Sequence, residues 1–170
     1  GYRLTNIHET DELLNNMASL LLEGKYDDAL NQYIHMKGSK LVPDLKRTLE
    51  ELAGLGPSYA ETWRPRIGKP TEVALTGQSF VFQVTGVHGE QVSGVIPGTG
   101  QKVRFTLRDL PLSEQTYRLN GTSEETRKIW MGMIYRKLGM RRESIRQYLS
   151  STLLGRQFQT LLPEAAGMEQ

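Results

Sequence analysis

Apolar residues recur at every third or fourth position through the first third of the chain, and this spacing predicts helices. The first apolar stripe lies within residues 10–23 and consists of Leu13, Leu14, Met17, Leu20 and Leu21. Stripes of the same period over residues 26–37 and 43–53 predict a second and a third helix. The first two helices are expected to form a short antiparallel hairpin.

Glycine and proline mark the expected ends of these helices. Gly24 and Gly38 are expected to end the first two, because glycine adopts the left-handed conformation of a helix terminus at little cost. The segment 54–57 contains two glycines and a proline, and it is expected to end the third helix. Residues 57–70 are rich in proline and glycine and are interpreted as a connector.

From Thr71 the apolar period shortens to two residues, which predicts β-strands. Glycine-containing segments at residues 76–77, 88–90 and 97–100 separate four such runs and predict tight reversals. Residues 116–119 are a candidate fifth strand. The expected core of the sheet consists of Phe80, Phe82, Val84, Val103, Phe105 and Leu107.

The helical period returns after Asn120–Gly121. Thr122 and Glu125 match the reciprocal capping pattern and predict the start of a helix. Its apolar stripe consists of Ile129, Trp130, Met133, Ile134 and Leu138. Gly139 is expected to end it, a partner helix is expected from about Met140, and residues 156–170 are interpreted as a short docked or frayed tail.

These patterns predict an α+β fold, with helical hairpins at both ends around a small antiparallel sheet or barrel of four to five strands. The predicted segments are an N-terminal helical segment at residues 1–56, a β module at 71–119 and a C-terminal helical hairpin at 122–156. Because each hairpin has one apolar face to bury, the two are expected to pack together as one unit.

Each predicted hairpin resembles a tetratricopeptide repeat, in which a glycine, a small residue and an aromatic residue follow at intervals of five and four. Gly24, Ala29 and Tyr33 have these intervals in the first hairpin. In the second hairpin they are repeated by Gly139, Ser144 and Tyr148, and Gly132 and Tyr135 add the family's first-helix positions. The resemblance implies a helical scaffold that binds peptides or other proteins, and it assigns no catalytic residue.

The strand segment resembles a small Src-homology-type barrel in the number and length of its strands and in its turn spacing. Modules of that kind often bind extended peptides. This resemblance concerns the fold alone, and function resides in sites rather than in folds.

Composition narrows the classes of function. The chain of 170 residues contains no cysteine, which excludes disulfides, thiolate zinc sites and cysteine nucleophiles. It shows neither an apolar run long enough to span a membrane nor a secretory signal. It begins with Gly rather than Met, which suggests trimming at the N terminus. A soluble protein of the cytoplasm or periplasm is expected.

No residue pattern predicts catalysis, a metal site or a cofactor. His8, His35 and His88 are spaced too irregularly to present two ligands on one helical face. The segment 98–102 is rich in glycine, but it lacks the ending of a phosphate-binding loop and precedes a strand rather than a helix. We therefore expect no enzyme, no metal and no cofactor. An enzyme with an unrecognised pair of carboxylates is the remaining catalytic hypothesis.

Two clusters are candidates for binding a partner. Trp63, Arg64 and Arg66 place an aromatic ring beside two guanidinium groups in the predicted connector, and such a set could anchor a partner. The alternative is that Trp63 packs where helices meet strands. The second cluster surrounds the reversal between the last two helices and consists of Arg136, Lys137, Arg141, Arg142 and Arg146.

The second cluster dominates the charge distribution. Residues 124–156 contain 8 Lys or Arg and 3 Asp or Glu, a net charge of +5, although the whole chain carries only +2. Such a block favours an anionic partner or is simply a solvated face. The sequence therefore predicts a non-catalytic module that binds a protein or peptide, with nucleic-acid or other anion binding by the basic hairpin as the alternative.

Overall fold

The computed structural model describes residues 2–75 and 77–167. Within this part of the chain it shows helices and one antiparallel sheet of four strands, so the predicted α+β class is confirmed. The sheet is open and is not closed into a barrel. Thr76, part of the first predicted reversal, lies outside the described residues.

The elements are numbered in chain order. The helices are α1 (Tyr2–Leu22), α2 (Tyr26–His35), α3 (Gly38–Leu41), α4 (Leu45–Glu61), α5 (Leu112–Arg118), α6 (Glu124–Lys137), α7 (Arg141–Ser144) and α8 (Gly155–Leu161). The strands are β1 (Pro70–Leu75), β2 (Gln78–His88), β3 (Gln91–Val95) and β4 (Lys102–Phe105). Short 3-10 helices lie at Arg64–Arg66, Leu107–Asp109 and Pro163–Ala165.

These elements form two units. The helical unit comprises residues 1–53 and 121–170, and the sheet unit comprises residues 54–120. The division falls inside α4, between Ala53 and Gly54.

The helical unit is built around the apolar stripes that the sequence predicts, to which Phe158 of the predicted tail is added. The side chains with no exposed surface include Leu13, Met17, Leu21, Tyr33, Leu45, Leu49 and Phe158. The Tyr33 hydroxyl donates a hydrogen bond to the carbonyl of Val42 at 2.7 Å. Gly38 leaves room for the Tyr33 ring, which a β-carbon at that position would overlap. The residue with positive φ at this reversal is Lys37 rather than the predicted Gly38, which instead begins α3.

The prediction that α4 ends at residues 54–57 was wrong. The helix continues through Pro57 to Glu61 and is followed by a 3-10 helix, so residues 57–70 are not simply a connector. Tyr59, Ala60 and Trp63 are all buried. They extend the apolar stripe at helical spacing, and their burial outweighs the cost of glycine and proline inside a helix.

The C-terminal hairpin has an irregular second helix. Ser123, rather than the predicted Thr122, caps α6, and its side chain accepts a hydrogen bond from the Thr126 N–H at 3.2 Å. After the four residues of α7 the chain widens into a π-helix at Ile145–Leu149. The predicted tail is largely docked, because α8 buries Gln157 and Phe158.

The carboxylate of Glu51 on α4 binds the N-terminus of α6. It accepts hydrogen bonds from the Ser123 backbone N–H at 3.0 Å and the Thr126 hydroxyl at 2.8 Å, and Arg47 lies 3.5 Å away. Burial raises the pKa of Glu51, but the hydrogen bonds and the Arg47 charge outweigh burial, so its pKa lies below the ordinary value. The negative charge of this carboxylate also suits the positive end of the helix dipole.

Replacing Glu51 with Gln is expected to lower the free energy of unfolding at pH 7 by about 1–2 kcal/mol, because the amide loses the charge that strengthens these hydrogen bonds. A lowered pKa in the folded state stabilises the protein above the unfolded-state pKa, which is near 4.5, and this contribution disappears as the pH falls through the folded-state pKa. Urea denaturation at pH 7 and pH 3 measures the loss, which should shrink at pH 3.

The adjacent, exposed Glu50 is the matched control, and Glu50→Gln should change stability by less than about 0.5 kcal/mol at either pH. An equal effect of Glu51→Gln at pH 7 and pH 3 would contradict the role of the charge.

The sheet unit places its four strands in sequence order, each antiparallel to the next. Val73 pairs with Phe80, and Gly94 pairs with both Val84 and Val103. These residues lie on one face of the sheet, which we call the inner face. A β-bulge between Val84 and Gly86 interrupts β2. Of the predicted core residues, Phe80 is only half-buried and the others are buried.

The predicted fifth strand at residues 116–119 was wrong, because α5 occupies residues 112–118. Gln115 anchors this helix: its buried side-chain amide donates to the carbonyls of Leu110 at 2.8 Å and Arg108 at 3.2 Å. The local alternation of apolar and polar residues is misleading, since Leu119 is buried but Tyr117 is 66% exposed.

Candidate functional site

Trp63 lies in the core of the sheet unit. Its ring is 5.5 Å from that of Phe82 and 5.4 Å from that of Phe105, measured between centroids, and the residue is only 5% exposed. Its neighbour Tyr59 is also buried, and burial raises the pKa of the Tyr59 phenol despite a hydrogen bond with Trp63. The indole therefore offers little surface to a partner.

The two arginines beside Trp63 each contact a neighbouring side chain of the sheet unit. Arg64 forms a bidentate pair with Glu61, with nitrogen–oxygen distances of 2.7 and 2.8 Å. The guanidinium of Arg66 lies 4.7 Å from the centre of the Trp63 ring, in the range of a cation–π contact. Both arginines are exposed, and Arg66 covers the indole.

The basic cluster belongs to the helical unit, and a carboxylate from the tail lies against it. Oε1 of Glu164 accepts a hydrogen bond from Arg136 at 3.1 Å and lies 4.0 Å from Arg141. Burial raises the pKa of Glu164, but a backbone hydrogen bond and the two arginines outweigh burial, so its pKa lies below the ordinary value. Two of the four candidate arginines are thus paired internally.

The other two arginines of the cluster, Arg142 and Arg146, are exposed. In the described part of the chain neither forms an ion pair. On α6 and the π-helix, the rings of Tyr135 and Tyr148 stack with their centroids 5.0 Å apart. The hydrogen bond between these tyrosines, together with burial, raises the pKa of Tyr148 to about 12.

A third surface, whose lining includes none of the predicted site residues, is a concave space of about 740 Å³ in the sheet unit. It lies where the β1–β2 hairpin faces the β3–β4 hairpin, and we call it the sheet-end groove. Its apolar floor consists of Leu75, Phe80, Ile96 and Val103. Three of these side chains are half-buried and Val103 is 9% exposed. The inner face of the open sheet therefore reaches solvent here.

The rim of the sheet-end groove is polar and basic. Gln78, Gln101, Lys102 and Arg104 line it, and all four are exposed. No acidic residue is among the described residues that line the groove. In the same part of the chain Lys102 and Arg104 have no acidic partner within ion-pair distance. The groove thus combines an apolar floor with an unpaired positive charge.

The described residues show neither a cluster of side chains that could hold a metal ion nor a helix that could cross a membrane. No group of three or more His, Asp or Glu side chains is placed there to hold a metal ion. His8, His35 and His88 are all exposed. No helix within the described ranges is long and apolar enough to cross a membrane.

Comparisons with family models, with curated proteins and with solved structures find no match for this chain.

Proposed function

We propose that the chain is a non-catalytic module that binds a peptide segment of another protein in the sheet-end groove. The observation that carries the proposal is the half-burial of Leu75, Phe80 and Ile96 at the open end of the sheet. Burying one apolar side chain of a ligand against such a floor contributes roughly 1.5–3 kcal/mol. Apolar concavities with a few polar groups at the rim are typical of binding sites.

The helical unit supports the same class of function. We include in the proposal that its two hairpins belong with tetratricopeptide repeats. The small residues Ala29 and Ser144 are buried, as close approach of two helices requires. Ser144 donates a hydrogen bond to the Gly132 carbonyl at 2.8 Å, and Gly132 leaves room for Leu149. Scaffolds of that family bind peptides or proteins.

Selection of random 12-residue peptides on the full chain tests the proposal. Peptides that bind should lose at least about tenfold in affinity when Phe80 is replaced by Ala, because the floor then loses its largest apolar group. Ile67 is the matched control, since it is an apolar residue of the same unit that is 41% exposed and lies outside the groove. Ile67→Ala should leave affinity within about twofold.

Two outcomes would overturn the groove as the binding site. One is a selection that yields no peptide. The other is a set of peptides whose affinity is the same for Phe80→Ala and the wild type. Circular dichroism of Phe80→Ala shows whether the variant is folded, and Lys102→Glu with Arg104→Glu provides a second groove variant that changes exposed side chains alone.

Anion binding by the basic cluster is the second candidate function, and the exposed Arg142 and Arg146 favour it. It predicts that a fluorescent oligonucleotide binds and that affinity falls steeply between 50 and 200 mM salt. Arg142→Gln with Arg146→Gln should then abolish binding, whereas Phe80→Ala should not. The internal pairing of Arg136 and Arg141 with Glu164 leaves fewer free charges for this role.

A further inference from the structure

Strand β2 has an unpaired edge next to the sheet-end groove. Strand β1 pairs with its first half, from Gln78 to Gln83. Strand β3 pairs with its second half and begins that pairing at Gln83, which is opposite Val95. Within the described residues, the stretch from Gln78 to Phe82 therefore has a strand on one side only.

The direction in which the backbone N–H and C=O groups of this stretch point follows from the hydrogen bonds of Val84. The Val84 N–H donates to the Lys69 carbonyl at 3.4 Å, and the Val84 carbonyl accepts from Gly68 at 2.8 Å, so both groups point to the side of β1. Because backbone groups alternate along a strand, those of Phe80 and Phe82 also point to β1. Those of Ser79 and Val81 point the other way.

The Ser79 and Val81 backbones thus present two N–H donors and two carbonyl acceptors along an edge where β3 is absent. Ser79 and Phe80 also line the groove. A strand added along this edge would place every second side chain on the inner face, against the floor formed by Phe80, Ile96 and Val103. The edge and the floor can therefore serve the same ligand.

From this juxtaposition we infer that the ligand is an extended peptide that pairs with Ser79 and Val81 as an added strand. It inserts an apolar side chain into the groove and places an acidic side chain near Lys102 and Arg104. The inference rests on the proposed function and specifies its partner. Strand addition to an exposed sheet edge is a recurring mode of peptide recognition.

The acidic side chain of the peptide is inferred from the positive charge at the rim of the groove. The rim carries Lys102 and Arg104 without an acidic partner in the described part of the chain. A carboxylate on the peptide would supply the missing charge, and complementary charges also speed association. A nucleic acid fits less well, because Phe80 is the only aromatic residue among the described residues of the lining and the floor is otherwise aliphatic.

Backbone methylation of a selected peptide tests strand addition. N-methylation at alternate positions should weaken binding by about tenfold or more, because it removes the donors that face β2, while the intervening positions should tolerate it within about threefold. Binding of the unmodified peptide should slow hydrogen exchange of the Ser79 and Val81 amides by tenfold or more. The Phe80 amide, which faces β1, is the internal control.

The outcomes separate this inference from the proposed function. Peptides that bind in the groove without alternating sensitivity and without protection of Ser79 and Val81 would overturn strand addition and leave the groove as the site. A ligand that is helical when bound, or dimerisation of the chain through this edge, would also overturn it. Absence of any groove-dependent peptide would overturn the proposed function itself.

Charge reversal tests the acidic component. Lys102→Glu with Arg104→Glu should weaken an acidic peptide by at least about tenfold, and replacing the peptide's acidic residue with Lys should restore binding to this variant. Lys69→Glu is the matched control, because Lys69 is an exposed cation of the same unit outside the groove. Equal weakening by Lys69→Glu, or no restoration by the Lys peptide, would refute a specific acidic contact.

Discussion

Replacing Trp63 with Ala is expected to destabilise the sheet unit by about 3–5 kcal/mol, the usual loss for a large aromatic residue removed from a core. Trp63 is 5% exposed and contacts the rings of Phe82 and Phe105. Its removal leaves a cavity between the strands and α4, and it leaves Arg66 without its aromatic partner. Native-state hydrogen exchange of the strand amides measures this loss in the full chain.

Trp63→Phe is the control, because it retains an aromatic ring and should lose clearly less stability than Trp63→Ala. The opposite interpretation, that Trp63 anchors a partner, makes a different prediction. If Trp63→Ala kept its stability within about 1 kcal/mol and lost peptide binding, Trp63 would be a binding residue rather than a core residue.

Replacing Gly94 with Ala is expected to cost about 3 kcal/mol, at the upper end of the range for overpacking. A β-carbon at this position would overlap the Phe82 ring and the Gln83 carbonyl oxygen. Phe82 has no exposed surface, and Gln83 pairs with Val95, so neither atom can move without disturbing the sheet. Hydrogen exchange of the strand amides again reports the change.

Gly54 provides a control for the same substitution in a permissive place. It lies inside α4, and a β-carbon there would meet no atom within 4 Å. Gly54→Ala is expected to stabilise the protein by about 0.5–1 kcal/mol, because alanine loses less conformational freedom in a helix. Similar effects of Gly94→Ala and Gly54→Ala would contradict the close approach of β2 and β3.

The elements with a strong apolar period were predictable from the sequence. Alternation at Phe82, Val84, Val103 and Phe105 identified strands whose side chains are buried. The stripe of α1 was also evident, although this helix begins at Tyr2 rather than near Thr10. These predictions succeeded because local periodicity and burial favour the same structure.

The errors occurred where burial or side-chain hydrogen bonds override the preference indicated by the local pattern. Gly54 and Pro57 favour a helix end, but burial of Tyr59 and Trp63 carries α4 to Glu61. The strand expected at residues 116–119 is part of a helix end, because the Gln115 amide fixes α5 through two carbonyls. The burial of Tyr59 and the hydrogen bonds of Gln115 to carbonyls five and seven residues earlier are not visible in the apolar period.

The candidate site was only partly predictable. The sequence indicated Phe80 as a strand residue, but its half-exposure depends on the sheet remaining open at that end, which periodicity does not reveal. The pairing of Arg136 and Arg141 with Glu164 was likewise hidden, since Glu164 lies more than 20 residues away in a segment interpreted as a tail. The sequence did contain one signal for this site, which is that the apolar residues Leu75 and Ile96 lie at the ends of hairpins.

The most direct test of the peptide-binding groove is a map of backbone amide chemical shifts for the full chain, recorded with and without a selected peptide. If the peptide binds in the groove, the largest chemical-shift changes should lie in residues 77–81 and 101–104. Changes concentrated at residues 136–146, or spread evenly without a maximum in the sheet unit, would contradict it.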